Sequence, residues 1–136
     1  MKSICLVSLL AVLIKCTTCS TDPYTECLDE EKVKKENLHN VTFETNPPID
    51  SKSGEYFLCV WKKIGVMNHD GDVDRERFKK FIEEEIQGVR HVTPFLRQLV
   101  TASILDCDLK RAEVPKETAV KVKNCHSKII VNVLSL

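Results

Sequence analysis

The chain has 136 residues, with 20 basic and 20 acidic side chains, 43% hydrophobic residues and only 4 glycines. A length of this order holds one domain. The near-neutral charge removes the electrostatic basis for a nucleic-acid partner or for a polybasic membrane contact.

In chain order, Met1 and Lys2 supply a positive start, Ile4 to Ile14 is an almost unbroken apolar run, and Thr17, Thr18, Cys19 and Ser20 offer small residues for cleavage. About eleven apolar residues are too few to span a bilayer, which needs roughly 20. Residues 1–20 are therefore expected to be a secretory signal peptide and 21–136 a single extracellular domain. No later segment is long and apolar enough to span, so stable membrane insertion is not expected. Cleavage removes Cys5, Cys16 and Cys19 together with Lys2 and Lys15, which leaves 18 basic side chains against 20 acidic ones. Four cysteines remain: Cys27, Cys59, Cys107 and Cys125. An even number in an oxidising compartment argues for two disulfides, and spacing alone leaves all three pairings open. Single cysteines lacking any CxxC pair do not form the knuckles of a zinc site, so no metal is expected.

The periodicity beyond residue 20 is helical. A first helix is predicted from Asp22 to Leu38, with Pro23 at its start, acids early and Lys34 and Lys35 late, as a helix dipole favours. Asn40-Val41-Thr42 is an N-glycosylation sequon, with Asn40 the candidate acceptor. Asn46-Pro47-Pro48 cannot lie inside a helix and reads as a connecting loop. A second helix is predicted over Ser53 to Ile64, where Tyr56, Phe57, Val60, Trp61 and Ile64 share a face and Gly65 is placed to end it. The cluster Asn68-His69-Asp70-Gly71-Asp72 is a turn, after which Asp72 or Asp74 can cap a third helix carrying Phe78, Phe81, Ile82 and Ile86, closed by Gly88. Thr93-Pro94 opens a fourth helix with Phe95, Leu96, Leu99, Val100 and Ile104 on one face. Pro115 with Glu117 opens a fifth, in which Ala119, Val122, Cys125 and Ile129 align. The apolar tail from Ile129 to Leu136 either folds back as a lid hinged near His126 or extends the packing of the last helix. Helices of about 12 to 16 residues suit an irregular array better than an up-down bundle.

Catalysis finds little support in this pattern. His69-Asp70 stands beside a glycine with no nucleophile in a recognisable context. Aligning Gly71 with the invariant glycine of a calcium loop puts Val66 at the first ligand position and Arg77 at the last, and neither can ligate calcium. No cofactor is expected.

The segment Glu55-Tyr56-Phe57-Leu58-Cys59-Val60-Trp61-Lys62-Lys63-Ile64-Gly65-Val66-Met67 leads into Asp70-Gly71-Asp72-Val73-Asp74. It resembles the third-cysteine helix and following Asp-Gly turn of the insect odorant-binding proteins, the pheromone and general odorant-binding family. Lys116-Glu117-Thr118-Ala119 up to Cys125 is similar to that family's final helix, and the resemblance extends over essentially all of residues 21–136. The family's six-cysteine pattern places its second cysteine four positions before the third and its fifth nine before the sixth. With Cys59 as third and Cys125 as sixth, those places hold Glu55 and Lys116. The joint loss of two cysteines that normally bond to each other marks the four-cysteine "minus-C" subgroup, and the resemblance implies the pairings Cys27–Cys59 and Cys107–Cys125. The interval from Cys59 to Cys107 is somewhat longer than the family usually shows. Opposite charges at the vacated positions lead to the expectation that Glu55 and Lys116 face each other. Such an exposed pair contributes at most about 1 kcal/mol, against roughly 3 for a disulfide.

The resemblance implies an all-α fold, a compact array of five to six short helices around an internal apolar cavity, with two disulfides. An empty cavity of about 300 Å³ costs about 7 kcal/mol at roughly 24 cal/mol per Å³, and each disulfide returns roughly 3 to 4. The implied function is extracellular carriage of small apolar molecules: odorants, pheromones or similar semiochemicals or lipids. The inward stripes nominate Phe57, Val60, Trp61, Ile64, Phe78, Phe81, Ile82, Phe95, Leu96, Leu99, Val100 and Val122 as cavity lining. A weak homodimer and a receptor are left open as partners. The rival from another class is a secreted helical protein of cytokine type, signalling through its surface.

Overall fold

The computed structural model describes residues 22–35 and 52–136. The expected signal peptide, the sequon at Asn40 and the Asn46-Pro47-Pro48 loop lie outside the described residues. Within them the helical periodicity becomes five helices: α1 (Pro23–Glu30), α2 (Lys52–Ile64), α3 (Arg75–Val89), α4 (Pro94–Leu105) and α5 (Pro115–Leu134). Their only extended pairing is an isolated antiparallel bridge between Met67 and Val73.

α1 is shorter than the sequence predicts. Lys32 turns into the left-handed region at φ 51°, Lys32 N–H donates to Asp29 O and Val33 N–H to Leu28 O. These two bonds satisfy the orphan carbonyls of a helix end and define a Schellman close. Leu28 and Val33 both pack against the core, the apolar contact that accompanies such a close. A lysine in that conformation gives no glycine-like signal, so the predicted helix overshot. α2 closes the same way, with Gly65 at φ 82°, Gly65 N–H bonded to Lys62 O and Val66 N–H to Trp61 O.

α3 starts where Asp74 accepts from Arg77 N–H at 2.9 Å. It runs through Gly88, contrary to the expected stop there, and ends at Val89. Thr93 Oγ1 accepts from Leu96 N–H at 3.2 Å and caps α4. α5 has 20 residues and continues to Leu134. The tail is therefore helical, with Ile129 and Val133 fully buried. It extends the packing of the last helix rather than folding back as a lid.

Three arginines at the ends of α3 close other helices. Arg77 Nε donates to Ile64 O at the end of α2, Arg75 Nη1 to Ile104 O near the end of α4, and Arg90 Nη1 to Val133 O near the end of α5. Each places a cation on the negative pole of a helix dipole and satisfies a carbonyl that no intrahelical N–H reaches.

Two disulfides complete the frame. Cys27–Cys59 joins α1 to α2 and Cys107–Cys125 joins the segment after α4 to α5, each with Cα atoms 5.8 Å apart. These are the pairings the family resemblance implies. Beside the first, Lys63 Nζ bridges Glu26 and Glu30 at 2.9 and 2.7 Å. Beside the second, Lys121 Nζ meets Asp108 at 2.9 Å and that contact holds the Asp108 carboxyl below its usual range. Glu55 and Lys116, by contrast, form no ion pair among the described residues. Glu55 instead borders an open depression on the outer face with Glu30, Glu31, Leu58, Lys62 and Lys63, so opposite charge at the two positions does not bring them together.

The turn after α2 is held by Asn68, whose Oδ1 accepts from Asp72 N–H at 2.9 Å. Gly71 has φ 90°, and a Cβ there would lie 3.2 Å from Pro115 Cβ at the start of α5. Two glycines thus make opposite predictions. Gly71→Ala should destabilise the fold by about 1 to 3 kcal/mol through backbone strain and that contact. Gly88→Ala, where a methyl meets nothing within 4 Å, should stabilise it by up to about 1 kcal/mol by helix propensity. Replacing Cys107 and Cys125 together by serine should cost about 3 kcal/mol. Urea unfolding monitored by circular dichroism measures all three.

Candidate functional site: the aromatic centre

The inward faces of α2, α3, α4 and α5 converge on Trp61. This side chain is 2% exposed, and its Nε1–H donates to Ala119 O on α5 at 3.0 Å, which removes the cost of burying the indole donor. Its ring stands edge-on to Phe78 at 6.2 Å, to Phe81 at 5.9 Å and to His126 at 5.7 Å between centroids. Around it Val60, Ile82, Ile86, Val100, Val122 and Ile129 are fully or almost fully buried. Apolar surface of this extent excludes water.

Of the twelve residues nominated by sequence, nine are buried: Phe57, Val60, Trp61, Phe78, Phe81, Ile82, Leu96, Val100 and Val122. Ile64 and Leu99 are half-buried and pack against the same cluster. Phe95 is the correction. It is 65% exposed because the inward line of α4 is Leu96, Val100 and Ile104, at four-residue spacing, and Phe95 lies about 100° off it at the first turn.

A polar edge borders the centre. His126 Nε2 contacts Glu85 Oε2 at 2.5 Å, and the same imidazole lies 5.7 Å from the Phe81 ring. Burial first, then the Glu85 charge, raises the hydroxyl of Tyr24 on α1 well above the ordinary range. Burial, then the Asp22 charge, pushes Tyr56 up to about 12. Sequence reasoning missed Glu85, which looks like part of a solvated Glu83-Glu84-Glu85 run. The signal was there: Phe78, Phe81, Ile82, Glu85 and Ile86 are spaced i, i+3, i+4, i+7 and i+8, so Glu85 falls on the inward stripe. Among the described residues no group of three or more His, Cys, Asp or Glu side chains is arranged to hold a metal ion, and no helix is long and apolar enough to cross a membrane.

Five helices framed by two disulfides around a buried aromatic cluster make up a small all-helical domain. Residues 22–128 match the model of the PBP/GOBP family, and the chain belongs to that family. The structure is similar to an odorant-binding protein, OBP28a, from Drosophila melanogaster, at 16% identity over 84% of this chain and 91% of that one, with a TM-score of 0.62. It is also similar to a fatty acid binding protein, OBP56a, from the oral disk of the blowfly Phormia regina, at 22% identity over 81% and 87%, with a TM-score of 0.55. No curated protein sequence matches the chain. At these identities the two structures speak for the fold, and the family identifies the chain as a non-enzymatic carrier of small ligands. The cytokine-type alternative falls with that membership.

Both tyrosines of the chain, Tyr24 and Tyr56, have raised hydroxyl pKa values when folded. The unfolded chain ionises them near 10. Their contribution to stability is therefore complete below pH 10 and declines as pH rises from 10 towards 12, because the unfolded state loses its protons first. Absorbance at 295 nm should show almost no tyrosinate in the folded protein at pH 10.5, with a step on adding denaturant.

Proposed function

We propose that this protein carries small apolar molecules through extracellular fluid, sheltering them against the aromatic centre around Trp61. The observation that carries the proposal is the convergence of nine nominated lining residues from α2, α3, α4 and α5 on one buried cluster, in a chain of the PBP/GOBP family. Odorants, pheromones and similar semiochemicals or lipids have the required size and low polarity. Burying about 300 Å² of such a ligand gives roughly 7 kcal/mol before the costs of association, so affinity is expected to be micromolar and selectivity broad. Residues 1–20 are assigned as the signal peptide and 21–136 as the carrier domain, on the apolar run from Ile4 to Ile14 and the oxidised cysteines beyond it. The two disulfides, with Glu55 and Lys116 where the remaining family pair would stand, support placement in the four-cysteine subgroup.

Quenching or enhancement of Trp61 fluorescence, the only tryptophan signal in the chain, follows ligand binding directly. Fluorescent apolar probes such as N-phenyl-1-naphthylamine should bind with micromolar dissociation constants and be displaced by medium-chain alcohols and esters. Val122→Trp, which adds bulk beside the centre, should weaken probe binding about tenfold. Absence of any saturable probe binding by the folded, oxidised protein would reject the carrier function.

A further inference from the structure

Polar groups at the edge of the aromatic centre are arranged with an uneven balance of donors and acceptors. His126 Nε2 contacts one carboxylate, Glu85, whose charge also raises the Tyr24 hydroxyl. An ionised carboxylate has two oxygens with about four acceptor positions and no donor. One of those positions is taken by His126. What remains at Glu85 is acceptor capacity. The side chains of Glu85 and His126 are 33% and 19% exposed, so they are reachable without unfolding. The imidazole packs on Trp61 and Phe81, so this polar edge is continuous with the proposed apolar site. Asp22 adds a second negative charge on the Tyr24 side.

We infer that Glu85 is the specificity-determining residue of the carrier site, and that it selects ligands whose apolar body ends in a hydrogen-bond donor, protonated amines first and alcohols second, over carboxylates. The inference rests on the carrier function proposed above and names the head-group class of that same site. A protonated amine gains a charge-assisted hydrogen bond to the free lone pairs of Glu85 and the faces of neighbouring rings. An alcohol gains a single neutral donor contact. A carboxylate meets a like charge. His126 acts as a positioning residue, fixing the Glu85 rotamer from α5.

The test is displacement of N-phenyl-1-naphthylamine at pH 8 by decylamine, 1-decanol and decanoate, which share one chain length. Wild-type protein is expected to bind decylamine about tenfold more tightly than decanoate, with decanol between them, the ratio expected for one charge-assisted contact. Glu85→Gln should bring the amine and the acid to within about threefold of each other. Glu85→Asp, which keeps the charge, should retain the order of the three ligands. Tyr24→Phe, which removes only the hydroxyl, should leave the amine preferred. Decanoate binding as tightly as decylamine in the wild type overturns the inference while the carrier function stands, and so does an unchanged ratio in Glu85→Gln. The wild-type comparison decides the matter even if a variant does not fold. Failure of the probe and of all three ligands to bind overturns the carrier function and this inference with it.

Discussion

The buried indole of Trp61 is the contact on which the arrangement depends. Its Nε1–H reaches across from α2 to Ala119 O on α5, while its ring edges hold Phe78 and Phe81 of α3 and His126 of α5. One side chain therefore fixes the relation of three helices, through a directional bond and through shape. Few substitutions are compatible with that position. A smaller ring leaves a void, and any side chain without an N–H at the indole's reach loses the bond to Ala119 O. The two disulfides act at the periphery of the same frame, each joining a segment to a helix that touches the indole directly.

Much of this frame was legible in the chain. The stripes of α2 and α3 follow from apolar spacing, and Thr93-Pro94 and Asp74 announce their helices by capping chemistry that depends only on neighbours in sequence. The cysteine pairings were not legible from spacing, which leaves three possibilities. They came from resemblance, and the sulfur geometry then agreed. The misreadings have a common physical origin. Lys32 adopts a left-handed conformation that glycine would ordinarily signal, Gly88 is tolerated inside α3, and Phe95 lies just off the inward line of α4. In each case the residue type alone does not mark the backbone or side-chain direction that the structure takes. The Glu55–Lys116 expectation failed for a related reason. Charge complementarity at two sequence positions says nothing about the directions in which their side chains leave the helices.

The site divides along the same line. Its apolar wall could be nominated because burial leaves a periodic imprint. Its polar edge could not, since an acidic residue within Glu83-Glu84-Glu85 has the same local appearance whether it faces solvent or an aromatic cluster. Only the tertiary fold brings Tyr24, Glu85 and His126 together from positions far apart in sequence. A small carrier gains most of its affinity from the wall and can vary its preferences through the edge, so the less predictable part of the site is also the part best placed to distinguish one ligand from another.

The arginines flanking α3 have a consequence for how the molecule opens. Arg75, Arg77 and Arg90 each terminate a different helix, so the ends of α2, α4 and α5 share one dependency. Any fluctuation that lifts α3 away strips three carbonyl ends of their cations at the same moment. Amide protons in the last turns of those helices should then exchange with solvent as a single cooperative group, although they belong to segments separated by dozens of residues.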